Sequence, residues 1–224
     1  CHRRHVQALG AQIMLYLITG TNGAGKTLNT LKWVRERQIK DGRPVAHNGR
    51  FDIVPDGELQ SWKKIDFQNW QDEPDGTIFL IDECHNDLPK VAPAAKQPEH
   101  IRMLAEHRKR GFDFYLISQH PLNVDAFVRR LIGSPGWHRN LKRTFGGDLV
   151  SVQEWSSVNE KCEKDGSGKT GTVTLVPFPK EVYSWYKSAS LHTGKRKIPK
   201  TVWALLGMLL LIPLLLYFAY TSMQ

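Results

Sequence analysis

The sequence predicts an α/β fold, with a parallel sheet core, antiparallel additions and a single C-terminal transmembrane helix. Three observations predict it. Apolar runs of strand length alternate with helix-like stretches from Met14 to about Tyr186. A glycine-rich segment, Gly20-Thr21-Asn22-Gly23-Ala24-Gly25-Lys26-Thr27, joins the first such run to the first such stretch. Residues 202–220 form an apolar run without a formal charge.

Residues 1–13 show neither strand nor helix periodicity, and Met14 reads as a natural start; with no long apolar run, the extension makes a poor secretory signal. The strands are expected at Leu15–Thr19, Pro44–His47, Thr77–Asp82 and Phe112–Ser118. Between them, Lys26–Lys40 and Glu99–Arg110 read as helices, the first closed by Asp41-Gly42 and the second by Gly111. After about Gly136 the runs shorten, around Gly146-Gly147 and Val173–Val176, which suggests antiparallel strands, and Asp165–Lys169 reads as an exposed turn or hairpin tip. At about 1.5 Å per residue, residues 202–220 match the ~30 Å hydrocarbon layer. Pro213 only kinks such a helix, and Trp203, Tyr217 and Tyr220 fall near its ends, where amphipathic rings favour the interface. The basic residues Lys195, Arg196, Lys197 and Lys200 precede the run and none follows it, so the main domain is expected on the cytoplasmic side. The resulting layout is an extension (1–13), a cytoplasmic domain (14–194), a basic juxtamembrane segment (195–201), the span (202–220) and a short tail (221–224).

Composition narrows the function. With 41% hydrophobic and 24% charged residues, the chain is neither a disordered nor a collagen-like protein. Its three cysteines, Cys1, Cys84 and Cys162, are odd in number and have no paired spacing, which argues for a reducing compartment and against a structural zinc site. The net charge of +9 is concentrated at the edges: without Arg3, Arg4 and the four basic residues before the span, residues 14–194 carry only +3. Charge alone therefore does not mark a nucleic-acid-binding protein. His100 and His107 lie seven residues apart, but no Cys/Asp pattern completes a metal site with them. Trp62, Trp70, Trp155 and Trp185 read as core or subunit-contact residues rather than base-stacking platforms.

The chemistry concentrates in two segments. Gly20–Thr27 matches the phosphate-binding pattern G-x-x-x-x-G-K-[ST] between a strand and a helix, the context that the pattern requires. Its glycines let backbone N–H groups turn inward on phosphate oxygens, Lys26 reaches the β- and γ-phosphates, and Thr27 offers a hydroxyl to Mg²⁺. Thr77-Ile-Phe-Leu-Ile-Asp82-Glu83 is a buried strand that delivers two acids at its carboxyl end. Asp82 is read as holding Mg²⁺ through water, and Glu83 as orienting and deprotonating the attacking water. A third strand ends at Gln119, on the nucleotide side, where its amide can sense the γ-phosphate or position water. Arg108, Arg110, Arg129, Arg130 and Arg139 are each eligible to face charge that develops during phosphoryl transfer, and the sequence does not choose among them.

Taken together, these segments resemble the zonular occludens toxin (Zot) family, which includes inner-membrane assembly proteins of filamentous bacteriophages. The likeness runs through Tyr16-Leu-Ile-Thr-Gly20, Gly25-Lys26-Thr27, Asp75–Glu83, Leu104-Ala-Glu-His-Arg108, Gly111-Phe-Asp113 and Leu116–Gln119. It continues in Tyr186-Lys-Ser188 and His192-Thr193 before the apolar run. The resemblance implies a RecA-like P-loop NTPase core in which the strand ending at Gln119 lies between the strand before the P-loop and the strand ending at Asp82, so that Gln119 faces the γ-phosphate. It also implies ATP with Mg²⁺, a homo-oligomer in the host inner membrane, and extrusion of virions. The partners implied are phage coat and assembly proteins, an outer-membrane secretin and single-stranded DNA. The chain departs from the family pattern in its thirteen residues before Met14 and in ending four residues after the apolar run. Two other readings of the phosphate loop stand beside the motor ATPase: a small-molecule or nucleoside kinase, and a nucleotide-dependent scaffold or toxin without turnover.

Overall fold

A computed structural model describes residues 14–92, 94–144 and 148–187, together with Met208 and Thr221. An eight-stranded sheet runs in the order β4-β2-β5-β6-β1-β7-β8-β9. These strands are β1 (Leu15–Gly20), β2 (Val45–His47), β4 (Lys63–Lys64), β5 (Ile78–Ile81), β6 (Asp113–Ile117), β7 (Gly133–Arg143), β8 (Leu149–Ser157) and β9 (Thr172–Pro177). Every pairing from β4 to β7 is parallel, and β7–β8 and β8–β9 are antiparallel. A separate antiparallel pair joins β3 (Asp52–Ile53) to β10 (Tyr186–Lys187).

The central strands are apolar along most of their length because both faces of the sheet are covered. Alternation sends Tyr16, Ile18, Ile78, Leu80, Tyr115 and Ile117 to one face, where they meet Leu28, Leu31 and Val34 of helix α1 (Lys26–Asp41). Leu15, Leu17, Phe79, Ile81, Phe114 and Leu116 take the other face, against Trp70, Ile101, Leu104 and Val128. Phe79 stacks on Phe114 with ring centroids 4.6 Å apart, and Trp70 meets Phe114 edge-on at 5.1 Å. Trp62, Trp70 and Trp155 are buried and Trp185 packs against the core, so these rings are structural within the chain.

Helix α1 ends where Gly42 adopts a left-handed conformation (φ 63°) and its N–H returns to the Gln38 carbonyl, 2.8 Å away. Gly111 closes the second helical segment in the same way. That segment differs from the helix expected over Glu99–Arg110. Only α2 (Glu99–Arg102) is α-helical, and Met103–Arg110 tightens into a 3₁₀ helix. The chain closes this turn on Phe112, whose N–H donates to the His107 carbonyl. A short helix, α3 (Ala126–Leu131), leads into β7.

The antiparallel strands expected after Gly136 are β8 and β9; β7, which carries Gly136, instead extends the parallel sheet beside β1. Asp165–Lys169 lies in the connection between β8 and β9. The expected span at 202–220 lies outside the described residues, apart from Met208. Among the described residues no helix is long and apolar enough to cross a membrane.

At the amino ends of the strands an ionic knot joins elements distant in sequence. Asp113 is fully buried and accepts from Arg43 Nη1 at 2.5 Å and from the Met14 N–H at 2.7 Å. Arg43 also donates to the carbonyls of Gly76 and Gly111, each 2.6 Å away. Arg37 pairs with Asp41 at 2.5 Å beside it.

Candidate nucleotide site

The carboxyl ends of β1, β5 and β6 carry the residues in which the sequence concentrates its chemistry, because parallel strands deliver their C-terminal loops to one edge. β6 lies between β1 and β5, the order that the family resemblance implies. Its end is tied to the glycine-rich loop, since Gly20 N–H donates to the Gln119 carbonyl at 3.1 Å. The Gln119 side chain itself is exposed.

Within the loop, Ala24 N–H returns to the Thr21 carbonyl at 3.2 Å, and Gly25 takes a left-handed conformation (φ 81°) just before α1. A side chain at Gly25 would also strike the ring of Phe178 and crowd Asn29, so close packing and backbone both demand glycine there. Asn29 donates its side-chain amide to the Gly25 carbonyl at 2.8 Å, pinning the loop to the first turn of the helix. Lys26 curls back with Nζ 3.2 Å from the Thr21 carbonyl. Burial lowers its pKa, and the Glu83 carboxylate and then that of Asp82 oppose the shift. An ammonium that has given up much of its water, with a single neutral acceptor, is primed for an anion.

Thr27 donates its hydroxyl to Asp82 Oδ2 at 2.9 Å, joining the loop to β5. The other carboxylate oxygen of Asp82 accepts from the Glu83 N–H at 2.9 Å. Burial pushes the Asp82 pKa up, the Thr27 hydrogen bond pulls it down, and the neighbouring Glu83 charge raises it again. Hydroxyl and carboxylate together form an oxygen-only donor pair suited to a hard divalent cation. Thr27 and Asp82 are thus the residues here that fit Mg²⁺.

Asn48, at the end of β2, escaped the sequence reading. Its Oδ1 accepts from Asp82 N–H at 3.1 Å, while Nδ2 donates to the Asp82 carbonyl and to Asp87 Oδ2, each at 2.7 Å. One amide therefore clamps the backbone that carries both acids. The only sequence signal was an asparagine directly after a short strand, which is a common loop residue. Phe178 was missed as well, because nothing in its neighbourhood predicts that the 178–187 segment returns over the loop. Val182 of this segment is buried in the α1 core, and Tyr186 meets Phe51 edge-on at 5.9 Å.

Beneath the loop, on the face away from α1, Thr19, His138 and Asn140 form a buried polar chain. His138 Nδ1 accepts from Asn159 N–H at 3.1 Å, so Nε2 carries the proton and donates to the Thr19 hydroxyl at 2.8 Å. That hydroxyl donates to Asn140 Oδ1 at 3.0 Å. Burial, with a smaller contribution from His120, depresses the His138 pKa to about 3, so the ring stays neutral.

Three of the eligible arginines have partners away from the loop. Arg110 pairs with Asp75 at 2.6 Å, Arg129 with Glu160 at 3.4 Å and Arg139 with Glu154 at 2.5 Å. Arg139 also stacks over Trp137 at 3.7 Å. His107 is buried against the Leu104 carbonyl, and the His100 carbonyl accepts from Trp70, so the two successive helical segments that carry these histidines are packing elements.

Comparison with known proteins adds family to geometry. The family model described as Zonular occludens toxin (Zot) matches residues 14–193. "Putative assembly protein ORF301" of Pseudomonas phage Pf3 is 32% identical over 197 residues, an alignment that covers 86% of this chain and 64% of that protein. The N-terminal domain of zonular occludens toxin from Neisseria meningitidis has the same fold, with TM-score 0.61 and 23% identity over 79% of this chain and 100% of that one. The genome packaging NTPase B204 of Sulfolobus turreted icosahedral virus 2, in complex with ATP-gammaS, is more distant, with TM-score 0.49 and 11% identity over 74% of this chain and 98% of that one.

Proposed function

The chain belongs to the zonular occludens toxin (Zot) family, and from that premise we propose that it is a phage assembly ATPase anchored in the host inner membrane. The observation that carries the catalytic part of this reading is the contact between the Thr27 hydroxyl and Asp82, 2.9 Å long, beside a Lys26 ammonium with one carbonyl partner. A glycine-rich loop, a lysine and an acid at the end of a neighbouring strand form the arrangement that phosphoryl-transfer enzymes use to hold a triphosphate.

In this reading the N–H groups of residues 20–27 and the start of α1 surround the phosphates, and Lys26 meets the β- and γ-oxygens. Thr27 and, through water, Asp82 would hold Mg²⁺, which when bound would offset the phosphate charge. Glu83 orients the attacking water and accepts its proton, and Gln119 at the end of β6 reads the γ-phosphate. Asn48 positions Asp82 and Glu83 by fixing their backbone.

The membrane part rests on the sequence. An uncharged run at 202–220 preceded by four basic residues supports a single span with residues 14–194 in the cytoplasm. Family membership and the Pf3 relative support a role in assembly, and with it a homo-oligomer working on coat and assembly proteins, an outer-membrane secretin and single-stranded DNA. The purified chain in detergent is expected to release phosphate from ATP only with Mg²⁺. Lys26→Ala is expected to abolish release, and Glu83→Gln to slow it at least about 100-fold while nucleotide remains bound. Phosphate release by Glu83→Gln at the wild-type rate would refute the role given to Glu83. Transfer of phosphate to nucleosides, or tight binding without turnover, would favour the kinase or the scaffold.

A further inference from the structure

Glu83 has an unusual setting for the residue assigned to activate water. Its backbone is left-handed (φ 45°, ψ 47°), a conformation that costs a non-glycine residue of order 1 kcal/mol or more. The strain is held by the turn that follows. Asn86 donates both its N–H and its side-chain amide to the Glu83 carbonyl at 3.0 Å. Asp87 and Leu88 N–H groups close on the Cys84 carbonyl at 3.0 and 2.8 Å, and Cys84 is fully buried. The Asn48 clamp fixes the other side of the acid pair.

This rigid turn sets His85 beside Glu83. His85 Nδ1 lies 3.4 Å from Glu83 Oε2, and both atoms are shielded from solvent with no hydrogen-bond partner. The two are chemically complementary, since an ionised carboxylate only accepts and an imidazole N–H donates. The Glu83 carboxylate is also close enough to Lys26 to oppose the burial that lowers the lysine's pKa, ahead of Asp82.

We propose that His85 is a positioning residue for the hydrolytic reaction: its Nδ1 edge holds the Glu83 carboxylate in the rotamer that faces the phosphate loop. The assignment rests on the ATPase reading of the site. His85 touches neither nucleotide nor water; it restricts the rotation of a carboxylate that nothing else in its own turn restrains. Turnover falls when a general base is held loosely, whereas nucleotide affinity, set by the loop and Lys26, does not.

The test is steady-state ATP hydrolysis by the full chain in detergent, comparing wild type, His85→Ala and His85→Asn, with thermal melting of each. His85→Ala is expected to lower kcat by about tenfold and to leave KM for ATP within about twofold. His85→Asn keeps an amide donor at the position of Nδ1 and is expected to recover most of the rate. Wild-type kcat in His85→Ala would overturn the assignment, as would an asparagine variant equally slow and equally destabilised, the signature of a purely structural residue. A wild-type chain that binds ATP without releasing phosphate would overturn the ATPase reading itself, and this assignment with it.

Discussion

The two ends of the parallel strands treat the same residue type in opposite ways. At the amino end, Asp113 is buried against the Arg43 guanidinium at 2.5 Å and a backbone N–H, and Arg43 also donates to two carbonyls. At the carboxyl end, Asp82 is also buried, yet it meets only a hydroxyl and its neighbour's N–H, with another carboxylate beside it. Burial pushes both carboxyls up, but one acid has a guanidinium in direct contact, while the other has a hydroxyl, a backbone N–H and the charge of Lys26 to oppose the shift. A closed ionic knot fastens the sheet, and an under-compensated cluster is disposed toward a ligand that brings its own charge.

The sharpest way to break this comparison is to make the same substitution at both ends. Asp113→Asn is expected to cost about 3–5 kcal/mol, because it leaves the Arg43 charge buried without its partner. Chemical denaturation of the two variants side by side checks this. Asp82→Asn removes a repelled, desolvated charge and is expected to leave the melting temperature unchanged or higher, while ATP hydrolysis falls at least about 100-fold. Equal destabilisation by the two substitutions would erase the distinction between the ends.

A second prediction concerns the neutral imidazole under the phosphate loop. With a folded pKa near 3 against 6.5 for the free side chain, the unfolded chain binds more protons than the folded one between these values. The His138 contribution is therefore complete above about pH 6.5 and drains away as pH falls toward 3, by about 1.4 kcal/mol per unit. Between pH 6.5 and 5 that is about 2 kcal/mol, and His138→Gln is expected to flatten the loss in melts over this range. The smallest expected effect lies at the fastening end. Gly42→Ala forces a left-handed alanine into open space and is expected to cost about 1 kcal/mol without altering turnover.

Legibility in the sequence followed the same division. Gly20–Thr27 and the Asp82-Glu83 pair announce themselves because the chemistry constrains consecutive residues, and strand and helix flank them as the pattern requires. The strands β1, β5 and β6 were equally plain, being runs dominated by bulky apolar residues. Less visible were features built from distant residues. Gly111-Phe-Asp113 stood out as a family signature, but only the fold brings Asp113 to Arg43 and makes it a fastening rather than a site residue. Asn48 could not be read for the same reason, since its partners lie 34 and 39 residues away. The parallel pairing of β7 is hidden because Gly133, Pro135 and Gly136 break the apolar pattern of a central strand. The 3₁₀ turns of Met103–Arg110 were hidden too, because a helical pattern does not distinguish three residues per turn from 3.6 over so short a length.

Titration calorimetry with MgATP at low salt tests the central claim most directly, because triphosphate binding is the role proposed for the loop, Lys26, Thr27 and Asp82. Saturable heat in the wild-type chain, lost in Lys26→Ala and weakened when Mg²⁺ is withheld, is the predicted result. A wild-type chain that gives no heat with any purine triphosphate, or a Lys26→Ala chain that binds as the wild type does, would contradict it.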